Sequence, residues 1–134
     1  MLAPEDRELL RFEQRGGMLR NILSPRVPAL AAKHASAVLE EVLAEAKLPR
    51  EKITGWVLHA GGREVLDALR DKMRLTPADV RVSAEVLREY GNLSSPFVLF
   101  VLQAALAEEK PGGFWWMSSF GAGFSCHGAL LEVE

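Results

Sequence analysis

Cysteine is almost absent from this chain: Cys126 is the only one in 134 residues. That excludes an intrachain disulfide and a cysteine-rich zinc site, and it is compatible with a reducing compartment. An excess of one charge is also lacking. The formal net charge is −2, and the 16 basic and 18 acidic residues are interleaved rather than blocked. Such a balance leaves no electrostatic footprint for nucleic acid, so no nucleic-acid partner is expected. Long hydrophobic runs are missing too. The longest uncharged apolar run, Leu93 to Ala107, contains Pro96 and Gln103 and falls short of the ~20 residues that span a bilayer. It reads as a helix buried within protein, and no membrane partner is expected. Met1 to Arg11 is charged and has no signal-peptide core, which points to a cytoplasmic protein. No Walker loop, dinucleotide fingerprint or metal-ligand spacing occurs, so no metal site is expected.

What is present is an ordinary globular composition, 49% apolar and 25% charged. The length fits one domain over residues 1–134, able to bury roughly two-thirds of its unfolded surface. The patterning predicts an α/β fold. Leu9 to Leu23, with Gly16-Gly17 inside it, reads as a hairpin. Pro25 and Pro28 open a helix whose apolar positions recur from Leu30 to Ala46, and Pro49 ends it. Ile53 to Leu58 reads as a buried strand, followed by an amphipathic helix carrying Val65, Leu66, Leu69 and Met73. Thr76-Pro77-Ala78-Asp79 is a helix-start signature, and the helix it announces stops at Gly91. Ser95-Pro96 opens an apolar helix, Phe97 to Glu109, and Pro111-Gly112-Gly113 reads as a loop. Phe114 to Phe120 and Phe124 to Val133 read as an antiparallel strand pair turned at Gly121-Ala122-Gly123.

Two residues stand out chemically. His59 follows an apolar strand and precedes Gly61-Gly62, the end of an α/β strand where ligands collect. Asn92 sits in Tyr90-Gly91-Asn92-Leu93-Ser94-Ser95, again beside a glycine. Taken singly, His59 is as readily a histidine satisfied within a turn, and Asn92 an ordinary capping asparagine. Taken together, they are two uncharged donors able to stabilise an oxyanion or enolate. No convincing nucleophile accompanies them. Cys126 lies in a strand beside His127, whose side chain points to the other face, and reads as a small buried residue. His34, on the apolar side of its helix, reads as a packed histidine.

Three segments in register carry a resemblance: His59-Ala60-Gly61-Gly62, Glu89-Tyr90-Gly91-Asn92-Leu93-Ser94-Ser95 and Phe120-Gly121-Ala122-Gly123-Phe124. With the lead-in Arg20 to Pro28, they resemble the C-terminal part of type III polyketide synthases, the chalcone and stilbene synthase family, over essentially the whole chain. The resemblance implies a partial thiolase-like fold, the C-terminal half of a layered αβαβα architecture. It implies that His59 and Asn92 are catalytic, binding a thioester carbonyl and stabilising the enolate formed when malonyl-CoA loses CO2. It also implies that Gly61, Ser94, Gly121, Ala122, Gly123 and Phe124 line the substrate cavity. No resident cofactor is implied; the substrates are an acyl-CoA starter and malonyl-CoA, both coenzyme A thioesters.

The family's nucleophilic cysteine belongs to an N-terminal portion that this chain does not match, and Cys126 does not correspond to it. The expectation is therefore a chain inactive alone, partnered by the N-terminal half of the same fold and self-associating through exposed apolar surface. The alternatives are a subunit completed by a separate N-terminal chain, a non-catalytic interaction module of the same fold, or a fragment of a β-ketoacyl-ACP synthase III-like enzyme. His59-Ala60 replaces the family's His-Pro, a mild change; Ala122 stands where the family's loop carries a phenylalanine and Asn21 where plant members carry a gating aromatic, and these two argue against chalcone-like starter choice.

Overall fold

The computed structural model describes residues 1–108 and 112–134. Its elements, in chain order, are a hairpin of β1 (Leu10–Arg15) and β2 (Met18–Leu23), α1 (Val27–Ala46), β3 (Ile53–Leu58), α2 (Arg63–Lys72), α3 (Arg81–Tyr90), α4 (Phe97–Leu106), β4 (Gly113–Gly121) and β5 (Ser125–Val133). Short 3-10 turns at Pro4–Leu9 and Arg50–Lys52 precede β1 and β3.

The hairpin forms its own two-stranded sheet, with Phe12 opposite Asn21. Gly16 and Gly17 both take positive φ, +59° and +76°. That pair of left-handed residues matches the twist of a tight two-residue connection, which L side chains resist. The main sheet has the order β3-β4-β5, parallel between β3 and β4 and antiparallel between β4 and β5. α1 lies against β4 and β5 and beside α2, while α3 and α4 pack together and against β3. Trp115 and Trp116, successive residues of β4, point to opposite faces, yet both are buried; so are Val57 and Leu58 of β3. The sheet is thus covered on both faces, which is why its strands read as continuous apolar runs.

Two close approaches fix this packing. A side chain at Gly55 would strike the Trp115 ring at 2.6 Å. One at Gly128 would overlap the Trp116 indole and come within 3.0 Å of Val38 on α1. Glycine lets each tryptophan lie flat on its neighbouring strand.

Element boundaries differ from the sequence pattern in instructive places. α1 stops at Ala46, three residues before Pro49, because Lys47 turns left-handed (φ 52°) and the Leu48 N–H bonds back to Leu43 O at 3.0 Å. Thr76 and Asp79 do cap one another, with the Thr76 N–H donating to Asp79 Oδ2 at 2.8 Å and the Asp79 N–H to Thr76 Oγ1 at 3.3 Å. They close a turn, however, and α3 begins only at Arg81. α4 ends at Leu106. The helix is expected to reach Glu109, but Ala107 and Glu108 form a turn; Glu109, and Pro111 of the expected loop, lie outside the described residues. β5 begins at Ser125 rather than Phe124.

Among the described residues no helix is long and apolar enough to cross a membrane.

Candidate active site

His59 is the first residue after β3, and its N–H donates to Ser118 O at 2.9 Å, continuing the β3–β4 ladder. The backbone is therefore fixed at the carboxyl end of a parallel strand pair. The side chain is 5% exposed. Its ring meets Phe120 edge-on with centroids 4.8 Å apart and Phe97 at 5.5 Å. Burial in this apolar setting pushes the imidazole pKa from 6.5 down to about 4, so His59 is neutral near pH 7. Nδ1 is sealed and has no hydrogen-bond partner among the described residues.

Asn92 reaches the same place from the other side. α3 ends at Gly91 (φ 71°), whose N–H donates to Leu87 O at 2.9 Å. The chain then turns so that the Ser94 N–H donates to Asn92 Oδ1 at 2.9 Å. With its oxygen engaged in that turn, the amide presents Nδ2 outward. The position that a Cβ would occupy on Gly61 lies 3.7 Å from Asn92 Nδ2, 3.9 Å from His59 Nε2 and 3.9 Å from Phe120 Cζ. That position is one bond from the Gly61 Cα, so the two nitrogen donors and an aromatic edge all lie beside a glycine whose missing side chain leaves them uncrowded.

That space opens into a cleft of about 810 Å³. Its walls include His59, Gly61, Asn92, Ser94, Gly121 and Ala122. Six of the eight residues singled out from the sequence are thus brought together. Gly123 and Phe124 are not on the cleft wall. Gly123, at φ 85°, donates its N–H to Leu10 O at 3.0 Å and ties the β4–β5 turn to β1. Phe124 is fully buried, stacked behind Phe120 with ring planes 7° apart and 5.3 Å from the His34 ring.

Sequence reading missed the far wall. Leu10, Phe12, Asn21 and Leu23 of the hairpin line the same cleft as His59. Phe12 and Asn21 are paired across the two strands, so their side chains share one face. That pairing was the available signal, together with the gating position noted for Asn21. Gly62, Arg63 and Glu64 bring the start of α2 to the rim.

The other candidate groups lie elsewhere. Cys126 is 2% exposed, and burial pushes its thiol up to about 11, against a smaller opposing effect of the terminal ammonium, which donates to Cys126 O at 2.7 Å. It is not a nucleophile for this cleft. His34 is packed, with Nε2 3.2 Å from Asp6 Oδ2 and Nδ1 3.1 Å from Met1 Sδ. Among the described residues no group of three or more His, Cys, Asp or Glu is placed to hold a metal ion.

The model for the chalcone and stilbene synthase C-terminal domain matches residues 4–132. The chain belongs to the chalcone and stilbene synthase family. Within that family it is 32% identical, over 98% of its length, to 3,5-dihydroxyphenylacetyl-CoA synthase from Streptomyces toyocaensis, of which it covers 35%. It superposes over its whole length on 1,3,6,8-tetrahydroxynaphthalene synthase from Streptomyces coelicolor, a bacterial type III polyketide synthase, with TM-score 0.90 and 27% identity, covering 39% of that chain. The same fold recurs, at TM-score 0.91 and 20% identity, in the C-terminal type III polyketide synthase domain of a type I/III hybrid from Dictyostelium, where 99% of this chain covers 38% of that one. This type III polyketide synthase segment is therefore a C-terminal fragment of the thiolase-like fold, spanning about a third of the length of the relatives it matches.

Proposed function

We propose that this chain supplies the donor pair of a type III polyketide synthase active site, with His59 Nε2–H and Asn92 Nδ2–H holding one thioester oxygen beside Gly61. The observation that carries the reading is that both nitrogens lie beside the same glycine, 3.7 Å and 3.9 Å from where its Cβ would stand. A non-catalytic module has no need of two uncharged donors converging on space kept free by a glycine.

In the reaction proposed, malonyl-CoA binds with its thioester oxygen between the two nitrogens, in front of Gly61. Its C–C bond to the carboxylate breaks, CO2 leaves, and the electron pair becomes the enolate of an acetyl thioester. Negative charge grows on the held oxygen, where two preorganised donors stabilise it more than they stabilise the substrate. The enolate carbon then attacks the carbonyl of an acyl group carried as a thioester on a cysteine; a C–C bond forms and the thiolate leaves. A neutral His59 suits this role, for it donates without requiring proton transfer. The cysteine would come from the remaining two-thirds of the family fold, so the chain by itself is inactive, and its partners are coenzyme A thioesters and that N-terminal portion. Exposed Tyr90, Leu99, Phe100 and Leu106 on α3 and α4 are apolar surface such a partner, or a second copy, would cover.

The test combines the purified chain with the separately produced N-terminal portion of a bacterial relative and follows CO2 release from malonyl-CoA. Release that needs both pieces, and falls with His59→Ala or Asn92→Ala, supports the reading. No release from a complex shown to form would count against it.

A further inference from the structure

We propose that Phe120 is a positioning residue, whose ring edge, backed by Phe124, sets the plane of the His59 imidazole and keeps its Nε2–H directed into the cleft. This deepens the donor-pair reading above and rests on it.

A histidine that must present one nitrogen is usually oriented by a hydrogen bond at the other, most often to a carboxylate or carbonyl. His59 lacks that device, since Nδ1 is buried with no partner among the described residues. Its orientation therefore comes from packing. Two rings bracket it: Phe97, fully buried on α4, and Phe120, at the end of β4. Phe120 makes the closer contact, edge-on at 71°. It is in turn held from behind by the parallel face of Phe124, itself wedged against His34. The stack runs from α1 through Phe124 and Phe120 to His59, so the phenylalanine that does not reach the cleft acts on it through its neighbour.

The same packing selects the tautomer. A proton on Nδ1 would leave a buried N–H with no acceptor, a rarer and costlier arrangement than an unpaired acceptor nitrogen. The proton therefore resides on Nε2, the nitrogen beside Gly61. The depressed basicity of the ring agrees with an environment that offers Nδ1 neither charge nor water. Arg63 and Glu64 are the charged residues on the cleft wall, both at the start of α2 on its rim.

The test is long-range 1H–15N correlation NMR on the 15N-labelled chain at pH 7, read at the His59 ring. The wild type should show a pyrrole-type Nε2 and a pyridine-type Nδ1, with cross-peaks from the imidazole to Phe120 and Phe97. Phe120→Leu should shift the tautomer populations towards an even mixture and weaken the Phe97 cross-peaks, while the remaining amide spectrum stays dispersed. Phe124→Leu, which leaves the cleft wall intact, should move them in the same direction by less, and Phe120→Tyr should keep the wild-type pattern. A wild-type proton on Nδ1, or an unchanged His59 signature in folded Phe120→Leu, overturns the proposal. If Phe120→Leu does not fold, the wild-type tautomer and Phe124→Leu decide it. Because these readouts need no substrate, the positioning role can fail while His59→Ala still abolishes CO2 release in the assembled enzyme, and the reverse outcome is equally visible.

Discussion

The Ser94 N–H donates to Asn92 Oδ1 at 2.9 Å, and this one bond turns the amide so that Nδ2 faces the space beside Gly61. Asn92→Asp separates the two jobs of that side chain. The carboxylate still accepts the Ser94 N–H, so the turn survives, but it offers no donor to the cleft and adds negative charge where more is to develop. The expected result is an unchanged melting temperature and, in the assembled enzyme, a fall in turnover of about 10²–10³-fold, the scale of losing one oxyanion donor. Calorimetry and CO2 release measure the two effects separately.

Gly61 and Gly128 make a matched pair for testing what the missing side chains do. A methyl at Gly61 meets nothing nearer than 3.7 Å, so Gly61→Ala should fold normally, with stability altered by less than about 1 kcal/mol. It nevertheless crowds the space in front of both donors, and substrate turnover should fall sharply. Gly128→Ala drives a methyl into Trp116 and against Val38, far from the chemistry. It should cost about 1–3 kcal/mol by overpacking. Urea unfolding of both variants distinguishes a gap kept for ligand from one kept for packing.

Acid should weaken the fold partly through His59. Its pKa falls from 6.5 to about 4 on folding because burial penalises the charged ring. The unfolded chain therefore takes up a proton first as pH drops, and the stability due to a neutral His59 is present above pH 6.5 and lost between 6.5 and about 4. The whole effect is at most about 3.4 kcal/mol. Comparing urea midpoints at pH 7 and pH 4.5, the wild type should lose more than His59→Gln. An equal loss in both would show that the ring does not titrate in this way.

How far the sequence reveals the site depends on the kind of geometry involved. His59 was legible because a strand end followed by two glycines fixes where a side chain emerges, and Asn92 because Gly91 marks the end of a helix. Phe124, expected along the cavity, packs beside His34 and Phe120 instead of on the cleft wall. The two-residue alternation of a strand does not continue into the turn before β5, so nothing in the local pattern says that its ring points to His34 rather than outward. The Thr76–Asp79 cap was recognised, but the turn it closes precedes α3 instead of starting it. The hairpin wall of the cleft is only hinted at by the gating position of Asn21: Phe12 and Asn21 are far from His59 in the chain, and tertiary packing alone brings them to the same cleft.

The exposed apolar surface gives a prediction about association. Leu99 and Phe100 are 59% and 40% exposed on α4, and Tyr90 of α3 lies against Phe100 with ring centroids 5.4 Å apart. A patch of this kind, on a chain spanning a third of its relatives' length, should draw copies together. Light scattering of the purified chain should show dimers or larger species whose population rises with concentration. Leu99→Glu places a charge in the patch without touching the buried face of α4, so it should shift the population towards monomer while leaving the helix content unchanged. A monodisperse wild-type monomer at high concentration would refute this.

Cys126 tests the claim that the covalent step lies outside this chain. Its thiol is buried under the N-terminal segment, where the Cys126 N–H donates to Met1 O at 2.9 Å, and burial holds it protonated up to about pH 11. Since the thiolate is the reacting form, iodoacetamide at pH 7.5 should leave Cys126 unmodified in the folded chain and alkylate it fully in urea. Incubation with an acyl-CoA should likewise add no mass to the folded protein. Cys126→Ala should match the wild type in any activity restored by an N-terminal partner. An acyl adduct on Cys126, or loss of restored activity in Cys126→Ala, would place a nucleophile within this chain and overturn the division of labour argued from its buried thiol.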